Sequence, residues 1–116
     1  MALAIEQQEL KPGVFLLRLS GRVMLGSEST QMESAIDQLI SGGGRHIVFD
    51  LSGVTHIDST GIGCFISCLN KIRHAGGSLR MAAAGGQVRE AFRVTRLDTI
   101  FRFFDDPKAA LQDMNI

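Results

Sequence analysis

The sequence has 116 residues, of which 45% are hydrophobic, and its 12 basic residues balance its 12 acidic residues. That length and apolar fraction suit one domain whose core needs neither a metal nor disulfides, so we expect a single domain over residues 1–116. A net charge of zero argues against nucleic-acid binding by bulk electrostatic attraction. No apolar run has the length of a membrane-spanning helix, so we expect no membrane insertion.

The chain termini and the cysteines indicate a reducing, cytoplasmic setting. Residues 1–5 are apolar, but Glu6 follows at once, which is not the pattern of a signal peptide. Cys64 and Cys68 are four residues apart, so on a helix they share one face. We interpret them as small buried side chains, because no second cysteine pair is present to complete a zinc site.

The first elements are predicted to form a hairpin. Residues 3–9 alternate loosely as an edge strand, residues 11–13 (Lys-Pro-Gly) form a turn, and residues 14–19 form a second strand. Ser20-Gly21 is predicted to end that strand. Residues 22–26 are either its continuation or a loop.

A helix is predicted next, with Ser27 or Ser29 as its N-cap. Residues 42–44, three glycines, end it because glycine accepts the left-handed conformation. Its apolar residues recur at helical spacing: Met32, Ala35, Ile36, Leu39 and Ile40.

Residues 47–49 are predicted to form a central strand, because they are an unbroken apolar run. A loop over 51–54 and a short segment over 55–57 follow. Any of the polar residues 58–60 suits the N-cap of the next helix, which ends at Gly76-Gly77. The apolar stripe of that helix is Ile62, Phe65, Ile66, Leu69 and Ile72.

The last third predicts a strand over 79–83, a helix over about 87–96 and a short strand over 101–104. Asp105 or Asp106 caps a final helix. The predicted order is therefore β-β-α-β-α-β-α-β-α. Strands alternating with helices after a hairpin indicate an α/β fold with a mostly parallel sheet and right-handed crossovers.

Charge is unevenly spread along the chain. Residues 71–102 hold seven basic and two acidic residues, an excess of five positive charges, whereas residues 1–58 hold four basic and seven acidic residues. This pattern has two interpretations: two solvated faces, or a polarised surface that steers an acidic partner.

The strand-end segment that is richest in polar side chains is residues 56–61, at the end of the central strand. The glycines at 42–44 lack the lysine of a phosphate-binding loop and precede a strand. Ser59 is not in a nucleophile elbow, since position 57 is isoleucine, and the three histidines are not at metal-ligand spacing. On local pattern alone, residues 58–60 need do no more than cap the helix.

The segment Asp58-Ser59-Thr60-Gly61-Ile62-Gly63 resembles the signature Asp-Ser-Ser/Thr-Gly-Leu-Gly of the bacterial anti-sigma factor antagonists, which are single STAS domains. The strand end at Ser20-Gly21 and the Gly76-Gly77 turn are similar to the same family in register. A further family pattern is matched by Val88, Phe92, Thr95, Leu97 and Phe101. The resemblance covers residues 3–113 and implies the STAS fold, a mixed sheet of four to five strands with about four helices.

The resemblance also implies a function without catalysis, cofactor or metal. Ser59 corresponds to the serine that an anti-sigma factor with serine kinase activity phosphorylates, and Thr60 is a minor candidate acceptor. The unphosphorylated protein binds the anti-sigma factor, and a phosphoserine phosphatase resets the switch, which regulates transcription by partner switching. The expected partner-binding residues are Asp58, Ser59, Thr60, Gly61, Ile62, Arg22 and Met24.

Two segments depart from the family pattern. Residues 22–24 read Arg-Val-Met where family members commonly carry an acidic residue or two, and Arg96 replaces a glycine, at a cost of roughly 1 kcal/mol if that residue is left-handed. A non-switching STAS scaffold, or an accessory subunit of a lipid-transport complex, is therefore an alternative. A small enzyme using Ser59 is a third.

Overall fold

The computed structural model describes residues 3–24 and 27–114 of the chain, without the side chains of residues 27–29. Its elements follow the predicted order, with one 3-10 helix added. They are β1 (Ala4–Lys11), β2 (Val14–Val23), α1 (Ser27–Ser41), β3 (His46–Ile57), α2 (Ser59–His74), β4 (Ser78–Ala82), α3 (Gly86–Val94), the 3-10 helix (Leu97–Thr99), β5 (Phe103–Phe104) and α4 (Pro107–Met114).

The strands form one sheet in the order β1-β2-β3-β4-β5. β1 is antiparallel to β2, because Pro12-Gly13 turns the chain between them and Gly13 adopts φ +80°. The other neighbours are parallel, as crossover helices require. The predicted α/β fold, with its N-terminal hairpin and mostly parallel sheet, is confirmed.

Helices cover both faces of the sheet. Alternate side chains of β3 point to opposite sides: Ile47 and Phe49 join the core under α1, α2 and α3, whereas Val48 joins a smaller core under α4. The larger core contains a row of aromatic rings in edge-to-face contact, beginning with Phe49 and Phe65 at 5.3 Å between centroids. This core holds α2 firmly against the sheet, so the residues at its start have a fixed position.

Two predicted chain breaks are wrong. β2 continues through Ser20-Gly21 to Val23, and β3 runs without interruption through residues 51–54. The reason is a pair of bulges: from Arg18 to Ser20 the sheet register advances two residues on β2 but three on β3, and one further shift follows Gly21. Gly53 allows close strand contact, since a Cβ there would lie 2.9 Å from the Leu19 carbonyl oxygen, and Gly21 adopts φ 105°. Residues 25 and 26 lie outside the described residues.

The helix ends show where local sequence chemistry was sufficient. Gly43 adopts φ +97° after α1, as predicted, and Asp106 caps α4 by accepting a hydrogen bond from the N–H of Ala109 at 2.8 Å. The predicted caps of α1, Ser27 and Ser29, have side chains outside the described set. Arg96 is left-handed, with φ 60° and ψ 22°, so α3 ends at Val94, before the predicted residue 96.

Within residues 3–24 and 27–114, no helix combines the length and the apolar character that crossing a membrane requires. Both cysteines are buried and form no disulfide, in agreement with their interpretation as small core side chains.

Candidate functional site

The site begins where β3 ends and α2 starts. Asp58 has extended backbone angles, and its Oδ1 accepts a hydrogen bond from the N–H of Gly61 at 2.8 Å. Of the three predicted capping candidates, Asp58 is therefore the N-cap. Ser59 is the first residue of the helix, and both it and Thr60 are exposed. The Ser59 hydroxyl is thus at the surface and is not needed as the cap.

The end of β2 lies directly against this helix start. A Cβ atom built on Gly61 would lie 1.9 Å from the carbonyl oxygen of Val23, and the N–H of Asp58 approaches the same oxygen at 3.4 Å. Only glycine allows such an approach, which explains the glycine of the motif. The sheet register pairs Val23 with Ile57 and Arg22 with His56. Residues 22–24 therefore lie beside Ser59.

The structure brings the seven expected partner-binding residues together, with different accessibility. Gly61 is buried under the Val23 carbonyl, so its role in the structure is packing and it offers no surface for contact. The other six are exposed or half-buried at the end of β2 and the start of α2: Arg22, Met24, Asp58, Ser59, Thr60 and Ile62.

One face of α2 continues this surface away from Ser59. Gly63, Ile66 and Asn70 follow Ser59 at intervals of four, three and four residues, so they lie on the same side of the helix. Together with residues of α1, this face lines an open groove of about 610 Å³ between α1 and α2. The sequence reasoning missed the groove, although Gly63 and Asn70, seven residues apart and beside the apolar stripe, were a signal.

Polar contacts between α1 and α2 fix the floor of the groove. Lys71 Nζ lies 2.9 Å from Asp37 Oδ1 and 3.6 Å from Glu33 Oε1, and the Ser67 hydroxyl donates to the same Glu33 oxygen at 2.9 Å. The hydrogen bond with Asp37 raises the pKa of Lys71 above its usual value. The two helices are therefore tied together by an ion pair and by a hydrogen bond between side chains.

The buried Cys68 thiol is not in the state of a reactive cysteine. The hydrogen bond with Cys64 and the burial of the thiol raise the pKa of Cys68 far above the range of a reactive cysteine. Among the described residues no group of three or more histidine, cysteine or acidic side chains is arranged to hold a metal ion. His46 Nδ1 is 2.8 Å from the Ser78 hydroxyl, and His56 Nδ1 is 3.0 Å from the Thr55 hydroxyl. Those histidine contacts lead away from Ser59.

Residues 7–110 match the family model of the STAS domain. The chain belongs to the STAS domain family. The resemblance inferred from the Asp58–Gly63 motif and its companion segments is confirmed, and the sheet order and helix layers described above are those of a STAS domain.

The relatives of this STAS protein include proteins named as anti-sigma factor antagonists. One from Thermotoga maritima, provisionally so named, is 27% identical over 78 residues, which cover 67% of this chain and 69% of the relative. An anti-sigma factor antagonist of Mycobacterium paratuberculosis has a similar structure, with a TM-score of 0.84, 22% identity and coverage of 99% and 96% of the two chains.

A third relative has been solved in two chemical states. The anti-sigma factor antagonist SpoIIAA in its unphosphorylated form matches with a TM-score of 0.73, 16% identity and coverage of 95% and 96% of the two chains. The phosphorylated form of Bacillus SpoIIAA matches with a TM-score of 0.72 and 17% identity, over 91% and 96% of the two chains. At these identities the likeness establishes the fold.

Proposed function

We propose that this STAS protein is an anti-sigma factor antagonist that works by partner switching in the bacterial cytoplasm. In its unphosphorylated form it binds an anti-sigma factor with serine kinase activity, and phosphorylation of Ser59 releases that partner. A phosphoserine phosphatase restores the binding form. The single observation that carries the proposal is an exposed serine hydroxyl at the first position of α2, with capping supplied by Asp58 instead.

The helix start can accept a phosphate without unfolding. A helix N-terminus carries about half a positive charge and free N–H groups, which stabilise an anionic group nearby. Because the Asp58 carboxylate already bonds to Gly61, the cap survives modification of Ser59. Phosphorylation is therefore expected to change the surface of the protein and to leave its fold intact.

Phosphorylation of Ser59 would change the surface charge at the start of α2 strongly. A phosphoserine adds about −1.5 to −2 charges at neutral pH, next to the Asp58 carboxylate. A partner that packs against a neutral hydroxyl then meets repulsion and the cost of desolvating the phosphate. A loss of about 3 kcal/mol weakens binding on the order of a hundredfold. The protein needs no catalytic group of its own, because it acts as a substrate and a ligand.

The partner surface is proposed to extend from Ser59 along the exposed face of α2. Half-buried Ile62 and Met24 supply apolar contact beside the hydroxyl, and exposed Arg22 supplies a positive charge. Because relatives carry acidic residues where this chain has Arg22, the matching partner is expected to present an acidic group at that point. Partner choice would then differ from that of relatives with acidic residues there.

Substitution at Ser59 tests the switch. We expect Ser59→Ala to bind the cognate anti-sigma factor as tightly as the unmodified protein, and Ser59→Asp to bind about a hundredfold more weakly, measured by titration calorimetry. Thr99→Asp is the control for added charge, since Thr99 is exposed on the 3-10 helix and lies outside the proposed partner surface. Equal affinities of Ser59→Ala and Ser59→Asp would contradict the proposal.

A second candidate is a STAS subunit that does not switch, serving as a scaffold or as an accessory subunit of a lipid-transport complex. The departure at residues 22–24 favours it, because Arg22 and Met24 stand where the family pattern has acidic residues, next to Ser59. Incubation with the organism's serine kinases, followed by mass spectrometry, separates the two. Modification at Ser59 supports the switch, and its absence under all conditions supports the scaffold.

A further inference from the structure

A small cavity of about 120 Å³ lies at the far end of α2, beside an uncovered stretch of β4. β5 is only two residues long and pairs with Met81 and Ala82. Within residues 3–24 and 27–114, no strand lies beside the preceding part of β4, residues 78–80, on that edge. Three of the residues that line the cavity are arginines: Arg73, Arg80 and Arg102.

The arginines outnumber the carboxylates that neutralise them. Arg80 Nε donates to Asp113 Oδ2 at 2.7 Å, and Arg102 Nη2 donates to Asp113 Oδ1 at 2.8 Å, so two guanidinium groups share one carboxylate. Arg73 forms no ion pair with any residue that the structure describes. Three positive charges against one negative charge leave an excess of two.

The arginines at the cavity are unequally buried: Arg73 is exposed and the Arg102 side chain is 61% exposed, whereas Arg80 lies mostly inside. The side chains of Arg80 and Asp113 are only 17% and 20% exposed. Charges removed from water interact more strongly with a ligand than exposed charges do, and salt weakens them less. The Arg80–Asp113 pair is therefore less screened than the Arg93–Glu90 pair on α3, whose side chains are 62% and 52% exposed.

The backbone adds a donor to the arginines. The N–H of Met81 donates to the Arg102 carbonyl at 2.9 Å, and the N–H of Ala83 donates to the Phe104 carbonyl at 2.9 Å. Since N–H groups alternate between the two edges of a strand, the N–H of Leu79 points to the same edge, where β5 is missing. Leu79 lines the cavity, and its carbonyl accepts a hydrogen bond from Arg80 Nη1 at 3.1 Å, so the backbone donor expected there is the Leu79 N–H.

We propose that this cavity binds the phosphate group of a small phosphorylated molecule. Arginine forks and a peptide N–H are the donors that recognise phosphate oxygens. The volume equals that of about four water molecules, which holds a phosphate group and little more. The remainder of the ligand would lie outside, against Ile100, an apolar side chain that is 40% exposed at the cavity. This site is independent of Ser59 and of the proposed switch.

A titration followed by amide chemical shifts tests the site. Inorganic phosphate and a nucleoside monophosphate are the probes, with ionic strength held constant by chloride. We expect saturable shifts at the amides of Leu79 and Arg80. Arg73→Ala should weaken the apparent affinity at least about tenfold, because charge-assisted hydrogen bonds are lost. Arg93→Ala is the matched control and should change nothing, since Arg93 lies outside the cavity and pairs with Glu90.

A second variant is expected to change the phosphate affinity in the opposite direction. Asp113→Asn removes the carboxylate that competes with the ligand and should tighten phosphate binding several-fold. If that variant unfolds, Arg102→Ala, at an exposed position, should weaken binding as Arg73→Ala does. Tighter binding of the nucleoside monophosphate indicates a larger phosphorylated ligand, and equal binding indicates that the phosphate suffices. Shifts that do not saturate, or equal losses in Arg73→Ala and Arg93→Ala, would overturn the proposal.

Discussion

The two ends of α2 differ in the charge of their side chains. At the N-terminal end, Asp58 supplies a carboxylate to free N–H groups, and the exposed hydroxyl of Ser59 is uncharged. At the C-terminal end, the last turn holds Lys71, Arg73 and His74, which complement the negative end of the helix dipole. One end is therefore suited to receive negative charge by covalent modification, and the other to attract an anion that is already charged.

At both ends of α2 a glycine lies in close contact with a carbonyl oxygen of another element. A Cβ atom on Gly61 would lie 1.9 Å from the Val23 carbonyl oxygen, and a Cβ atom on Gly77 would lie 1.7 Å from the Arg45 carbonyl oxygen. In both places a glycine lets backbone from another element press against the end of α2. The helix is thereby clamped at both ends, which keeps each surface in register with the sheet.

The largest expected effect comes from filling one of these close contacts. We expect Gly61→Ala to lower the free energy of unfolding by about 3 kcal/mol, because backbone atoms, which cannot rotate away, occupy the space of the new methyl group. Urea unfolding checks this. Gly63→Ala is the matched control: nothing lies within 4 Å of its Cβ, so it should stabilise the helix by up to about 1 kcal/mol. Equal effects of the two substitutions would break the comparison of the clamped end with the open groove.

The next effect concerns the cap. Asp58→Ala removes the acceptor of the Gly61 N–H and should cost about 1 kcal/mol of unfolding free energy. Asp58→Asn keeps a side-chain oxygen and should cost little. Thermal unfolding of the two variants gives the comparison. A full loss in the asparagine variant would show that the charge of Asp58 at this helix end matters more than its hydrogen bond.

The smallest expected effect is at Arg96, on the segment between α3 and the arginine cavity. Arg96→Gly removes the cost of a left-handed non-glycine residue in the folded state, about 1–2 kcal/mol. The glycine also raises the conformational entropy of the unfolded chain, which destabilises the folded state by about 0.4–1 kcal/mol. We expect a net gain of about 0.5 kcal/mol in denaturant unfolding. Arg93→Gly, inside right-handed α3, should lose about 1 kcal/mol instead. A loss in both variants would contradict the strain at Arg96.

The sequence predicted the element order and most helix ends, because those depend on neighbouring residues. Asp106 and Gly43 act as local chemistry indicated. The errors arose where glycine was interpreted as a strand break. At Gly21 and Gly53 the glycines instead permit bulges and close contact between β2 and β3, which depend on a partner strand that is distant in the sequence.

The same distinction separates the two sites. The Ser59 motif is contiguous, so its place at a helix start was predictable. The groove needs α1 and α2 side by side, and the arginine cavity needs Asp113 to meet Arg80, 33 residues away, and Arg102. The sequence shows the positive charge of residues 71–102. It does not show which of these residues form exposed ion pairs and which line the arginine cavity, because that depends on the tertiary structure.

The central claim is that negative charge on one hydroxyl controls association. The most direct measurement is titration of the cognate anti-sigma factor with protein carrying phosphoserine at position 59, and with the same sample after phosphatase treatment. Binding about a hundredfold weaker before treatment, with identical thermal unfolding of both forms, is the predicted result. Equal affinities of the two forms would contradict it.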